Sequence, residues 1–107
     1  MDGEMPLIDS IREKFARREF EFSRHAVDQS IRRGITVAEA CRCIGSGEVI
    51  EDYPDDKYGP SCLIFGKTSA GRPLHIQCSH PSRPIIKIVT LYEPDPGEWI
   101  DFRRRKP

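Results

Sequence analysis

A chain of 107 residues has room for one domain and one core, and none of its apolar runs approaches the ~18–20 residues of a membrane span. With 37% hydrophobic and 32% charged residues it reads as globular with a heavily solvated surface, not as disordered. Seventeen Lys/Arg balance seventeen Asp/Glu, which excludes a uniformly basic nucleic-acid binder.

The start, Met1-Asp2-Gly3-Glu4, is acidic and carries no secretory apolar stretch, so residues 1–5 are expected to fray and the protein to be cytoplasmic. Pro6 ahead of Leu7, Ile8, Ile11 and Phe15 predicts a first amphipathic helix with proline in its first turn. Alternation in Glu19-Phe20-Glu21-Phe22 predicts a short strand. Ser23 reads as the N-cap of a second helix over 24–33, closed by Gly34. Thr36-x-x-Glu39 is a capping box for a third, with Val37, Ala40, Cys41 and Ile44 at helical spacing and Gly45 and Gly47 as stops.

From there the pattern turns to strands: Val49-Ile50, Cys62 to Phe65, Leu74 to Cys78 and Ile85 to Leu91, separated by loops rich in Pro, Gly, Ser and Asp. Helices followed by consecutive strands predict an α+β fold, with the helices on one side of a mainly antiparallel sheet of about four strands. Trp99 and Phe102 are expected to clasp the core, and the basic tail 103–107 to fray. With no repeats or low-complexity segments, residues 1–107 are expected to form a single domain.

Charge is unevenly spread. Residues 35–71 carry three Lys/Arg against six Asp/Glu, and residues 72–107 seven against four, so the acidic run Glu48 to Asp56 is balanced by Arg103 to Lys106. The four cysteines, without a secretory signal, are expected as reduced, packed thiols. Cys41-x-Cys43 with Cys78-x-His80 offers zinc-type ligands. Residues two apart on a helix diverge, however, and no metal or cofactor site is expected. Walker, GxGxxG, GxSxG and HExxH patterns are all missing from the sequence.

At ~100° per residue, His25, Gln29 and Arg32 share one polar face of the second helix, edged by Arg24 and Arg33, while Val27 and Ile31 are expected to face the core. A histidine beside several arginines fits phosphodiester cleavage, the imidazole taking a proton and the guanidinium groups holding phosphate charge. Spacing alone favours a histidine that packs against a neighbouring strand or helps cap the helix. A second cluster lies on the strands: His75, Gln77 and Ser79 share one face. On the last strand the alternation groups Ile86, Ile88, Thr90 and Tyr92 against Ile85, Lys87, Val89 and Leu91. His80 reads as a turn residue.

Phe22-Ser23-Arg24-His25-Ala26, continued by Arg33-Gly34-Ile35-Thr36, resembles domain-of-unknown-function family 4258 of prokaryotic small proteins. The likeness runs on through Gly47 to Pro54, Gly71 to Ile76 and Lys87 to Pro94. The resemblance implies a curved sheet similar to RelE-like and BrnT-like toxins, in a barnase-like arrangement. It also implies ribonuclease activity held in check by a cognate antitoxin, a small zinc-finger protein of the YgiT or MqsA type.

Two functions follow as expectations. The first is a toxin-like, metal-independent endoribonuclease acting on RNA, alone or on the ribosome. In it His25, Arg33, Tyr92 and His75 would be catalytic, and Arg24, Gln29 and Arg32 would hold phosphate. The second is a non-catalytic protein-binding module of a regulatory pair.

Overall fold

Short-range signals set the helices of the computed structural model, which describes residues 5–107; the expected fraying of residues 1–4 lies outside the described residues. Pro6 caps α1 (Leu7–Ala16), which buries Ile11 and Phe15. Arg18, at φ 60°, turns the chain into β1 (Phe20–Phe22). Ser23 accepts the Ala26 amide at 3.0 Å to start α2 (Arg24–Arg33), and Gly34 ends it in the left-handed conformation at φ 62°. In α3 (Val37–Ser46) the capping box closes both ways, Glu39 N–H to Thr36 Oγ1 at 3.0 Å and Thr36 N–H to Glu39 Oε1 at 2.9 Å. The helix then runs through Gly45 and stops at Gly47, so only the second glycine is a terminator.

Four strands follow: β2 (Glu48–Tyr53), β3 (Ser61–Lys67), β4 (Pro73–Ser79) and β5 (Ile86–Tyr92). They form a five-stranded sheet in the order β1-β5-β4-β3-β2. The β2–β3, β3–β4 and β4–β5 pairs are antiparallel, while β1 adds to β5 in parallel, Phe20 opposite Ile86. The expected count of about four becomes five because the short strand after α1 joins this sheet at its edge.

All three helices contribute to the one hydrophobic cluster on one side of the sheet. Ile11, Ala26, Ala40, Cys43 and Ile44 meet Cys62, Ile64, Leu74, Ile76, Cys78, Ile86, Ile88 and Leu91, each wholly buried. At ~0.8 kcal/mol per buried methylene, this interface is the main source of stability. Contact between α3 and β3 is close enough that a Cβ on Gly66 would run into the backbone of Cys43. The four cysteines are free thiols, Cys62 and Cys78 sitting opposite one another across β3–β4. Among the described residues, no helix is long and apolar enough to cross a membrane.

Two details depart from simple periodicity. In β5 the register passes from Gln77–Thr90 to Cys78–Ile88, leaving Val89 as an extra residue in a bulge. The alternation therefore resets: Ile86, Ile88 and Leu91 share the core side, and Tyr92 moves to the opposite face, across from His75. In α2 the core side is Ala26, whereas Val27 and Ile31 are 41% and 74% exposed, overturning the expected orientation. The rotation has a cause. Beyond the end of β1 the edge of β5 is open, and α2 closes it, Ser23 Oγ donating to Val89 O at 3.0 Å and Gln29 Oε1 accepting from Leu91 N–H at 2.9 Å and from Thr90 Oγ1 at 2.6 Å.

The C-terminal segment is ordered rather than frayed. β6 (Trp99–Ile100) and β7 (Arg104–Arg105) form a hairpin through Asp101 and Phe102, both at positive φ (54° and 60°), with Arg103 N–H bonded to Ile100 O. The hairpin covers the sheet face away from the helices. Trp99 and Phe102 thus clasp a second, smaller layer with His75 and Phe65, and not the helix-lined core.

Candidate functional site

Side chains on the face away from the helices come from four strands and the hairpin. Glu51 and Tyr53 lie on β2, Leu63 and Phe65 on β3, His75 and Gln77 on β4, and Tyr92 on β5. At one end these meet the hairpin and form a connected polar cluster under a tryptophan.

His75 is wholly buried at its centre. Its Nε2–H donates to the Phe102 carbonyl at 2.6 Å, which fixes the tautomer and leaves Nδ1 to accept from the Tyr92 hydroxyl at 3.2 Å. Trp99 covers the ring edge to face, with centroids 4.4 Å apart. Burial pulls the His75 pKa below 6.5, aided by Arg105, while the Phe102 carbonyl and Glu51 act in the opposite sense. Burial likewise raises the Tyr92 phenol, which therefore stays protonated, with Glu51 and Glu98 reinforcing that direction.

Arg105 is the cation of the cluster. It makes a two-point contact with Glu51, Nε to Oε2 at 3.0 Å and Nη2 to Oε1 at 3.2 Å, and its guanidinium lies 4.8 Å over the Trp99 ring. The Tyr53 hydroxyl donates to the same carboxylate. Burial alone would raise Glu51, but the Arg105 and Tyr53 hydrogen bonds outweigh it and the carboxyl lies below 4.5. Tyr53 is pushed up to about 12 by burial and by the Glu51 carboxylate. Beside the cluster Arg103 pairs with Glu48 and rests over Phe65. An open cleft of about 430 Å³ borders this assembly, lined by Tyr92, Glu98, Trp99, Arg105 and Lys106 among others.

Of the residues singled out from sequence, His75 and Tyr92 are brought together. His25, Arg24, Arg32 and Arg33 are exposed on α2, and their side chains make no hydrogen bond or ion pair among the described residues. Gln29, expected to hold phosphate, accepts at Oε1 from Thr90 Oγ1 and the Leu91 amide on the β5 edge. Arg33 takes part through its main chain, its carbonyl accepting from Arg72 Nη2 at 2.5 Å while Arg72 Nε reaches Glu93 at 2.6 Å. His80 ties its turn to β2, Nε2 lying 2.6 Å from Asp52 Oδ1. No group of three or more His, Cys, Asp or Glu side chains gathers as a metal-ligand set among the described residues.

Sequence reasoning missed Glu51, Tyr53, Trp99 and Arg105 as site residues. A signal existed: beyond the bulge at Ile50 in β2, Glu51 and Tyr53 stand two apart and share a face, and the acidic run and basic tail that balance in charge are partners in space.

A protein-family model described as Domain of unknown function (DUF4258) matches residues 22–93, from the end of β1 to just past β5. No curated protein and no solved structure gives a significant match to the chain.

Proposed function

The chain belongs to the DUF4258 family, and from that premise we propose that it is a toxin-like, metal-independent endoribonuclease working at the Tyr92 cleft, with a fold relationship to RelE-like and BrnT-like toxins. One observation carries the reading: Tyr92 and Arg105 line the same cleft, and the Tyr92 hydroxyl is hydrogen-bonded to a neutral, tautomer-fixed His75. That arrangement supplies the two things RNA self-cleavage needs, a proton acceptor for the 2′-hydroxyl and a positive charge at phosphorus.

The step balances as a relay. The ribose 2′-hydroxyl gives its proton to Tyr92 Oη as the tyrosine proton passes to His75 Nδ1, and the 2′-oxygen bonds to phosphorus. The P–O5′ bond breaks, the leaving 5′-oxygen takes a proton from water, and the hydroxide so formed recovers the His75 proton through Tyr92, leaving a 2′,3′-cyclic phosphate and a 5′-hydroxyl. The Phe102 carbonyl steadies the imidazolium through Nε2–H, and Arg105 offsets charge on the phosphorane. Tyr92 is the catalytic residue and His75, which is shielded from substrate, a positioning and proton-holding residue.

RNA, free or presented by the ribosome, is the proposed substrate, and a cognate antitoxin, a zinc-finger protein of the YgiT or MqsA type, the proposed partner. The exposed Val27 and Ile31 favour α2 as the strip a partner protein covers, and they also support a second reading, a binding module without catalysis. The test is cleavage of labelled mRNA by purified protein in EDTA, alone and with ribosomes. Cleavage leaving cyclic-phosphate ends supports the ribonuclease. Folded protein that cuts under neither condition, yet binds a partner through α2, leaves the binding module.

A further inference from the structure

The same sheet face carries a second cleft, of about 350 Å³, at its opposite end. Resting on the ribonuclease reading, we propose that this cleft is a nucleotide subsite for single-stranded RNA, in which Tyr58 stacks a base, Gln77 contacts its edge, and Arg83 and Lys87 hold the adjoining phosphate. These four side chains come from the β2–β3 loop, β4, the β4–β5 loop and β5, so their meeting is a product of the fold.

Each fits its part. The Tyr58 ring is 81% exposed, unusual for a large aromatic side chain, and Lys57 lies 4.9 Å from its centroid, adding positive charge at the rim. Arg83 has no carboxylate partner among the described residues, and Lys87 meets only Glu21, at 3.9 Å. The one carboxylate lining the cleft, Asp56, is engaged at both oxygens, by Tyr58 N–H at 3.2 Å and Ser61 Oγ at 3.0 Å. Gln77 donates Nε2 to Ser61 Oγ at 3.2 Å, which orients the amide and leaves Oε1 as an acceptor for a base amino group. The combination of ring, amide and two cations, one of them without a carboxylate partner among the described residues, suits a nucleotide, whereas an acidic peptide would use only the cations.

Placement ties the two clefts together. Gln77 and His75 are two residues apart on one face of β4, about 7 Å along the strand, within reach of neighbouring nucleotides in one strand. A duplex would not serve, because its bases are already stacked on each other and closed to the Tyr58 ring. The subsite would fix which nucleotide lies beside the Tyr92 hydroxyl.

A binding measurement separates this from the catalytic reading. Fluorescence anisotropy with a short 2′-O-methyl single-stranded RNA, which lacks the attacking hydroxyl, reads affinity alone. The full-length protein should bind it more tightly than the matching duplex. Tyr58→Ala with Arg83→Ala should weaken binding about tenfold and lower the salt dependence of log Kd by about one unit, with an unchanged melting curve because both side chains are exposed. Arg17→Ala, which removes an exposed cation outside both clefts, should bind as wild type does. Binding by the double variant within twofold of wild type, or no preference of wild type for the single strand, overturns the subsite. Wild type that binds this RNA with the expected variant losses but cuts no natural RNA supports the subsite and sinks the catalytic proposal instead.

Discussion

The outer face of α2 and the open face of the sheet hold nearly the same residue types: a histidine, arginines and a glutamine. On α2, His25, Arg24, Arg32 and Arg33 are exposed and their side chains have no hydrogen-bond or ion-pair partner among the described residues, while Gln29 helps close a strand edge. On the sheet, His75 has both ring nitrogens engaged, Arg105 is held by two contacts to Glu51, and Trp99 roofs both. Composition is therefore a poor guide to chemistry. What separates the two faces is pre-organisation, since a side chain held in place has already lost the rotamer freedom that a free one would lose in reaching the transition state.

The sharpest way to break the comparison is to remove one proton carrier from each face. Tyr92→Phe should lower the rate of RNA cleavage at least ~100-fold, and Arg105→Gln should do the same through charge at phosphorus. His25→Ala and Arg33→Ala should each stay within about threefold of wild type. A large loss in the α2 variants with none in Tyr92→Phe would return the chemistry to the helix. Next comes stability. His75→Ala opens a cavity under Trp99 and strands the Phe102 carbonyl, so chemical denaturation should show a loss of about 3 kcal/mol. His25→Ala should stay within ~0.5 kcal/mol.

The faces also differ in how much each was legible in the sequence. Helix α2 was readable to the residue at both ends, because Ser23 and Gly34 act on amides within a turn of themselves. The Thr36–Glu39 box was readable for the same reason. Its rotation was not, since Val27 and Ile31 satisfy helical periodicity while the unpaired edge of β5, some sixty residues on, draws Gln29 inward. The sheet cluster was half visible: His75 and Tyr92 stood out as residue types, but the bulge at Val89 and the docking of Arg105 on Glu51 are long-range facts with no local marker. Charge balance between the acidic run and the tail was the one trace of that docking.

Smaller effects sharpen the contrast further. Gln29→Ala should cost about 1–2 kcal/mol in thermal or urea unfolding, through the Leu91 amide it leaves unpaired, and should leave RNA affinity unchanged. A drop in affinity at constant stability would instead restore Gln29 as a phosphate contact. The smallest effect is on pH. Because burial holds the folded-state pKa of His75 below 6.5, the unfolded chain binds its proton first as pH falls. The stability that His75 lends is complete above 6.5 and declines below it, toward the folded-state pKa. Glu51, also depressed, lends stability that is lost only below 4.5. Comparing wild type with His75→Gln across that range should show a wild-type decline, absent in the variant, that begins near pH 6.5.

The extra residue in β5 makes the strand tolerant of one change in length. Losing Val89 would remove the residue that has no partner of its own on β4, and strict alternation from Ile88 would then carry Leu91 inward and Tyr92 outward, the faces they already hold. A one-codon deletion there would leave both surfaces of the strand as they are, whereas a strand of the present length paired without the bulge would turn the tyrosine inward with Ile86 and Ile88 and set the leucine outside. Relatives one residue shorter in this strand would therefore present the same surface, and the gap would mark the bulge and not a change of site.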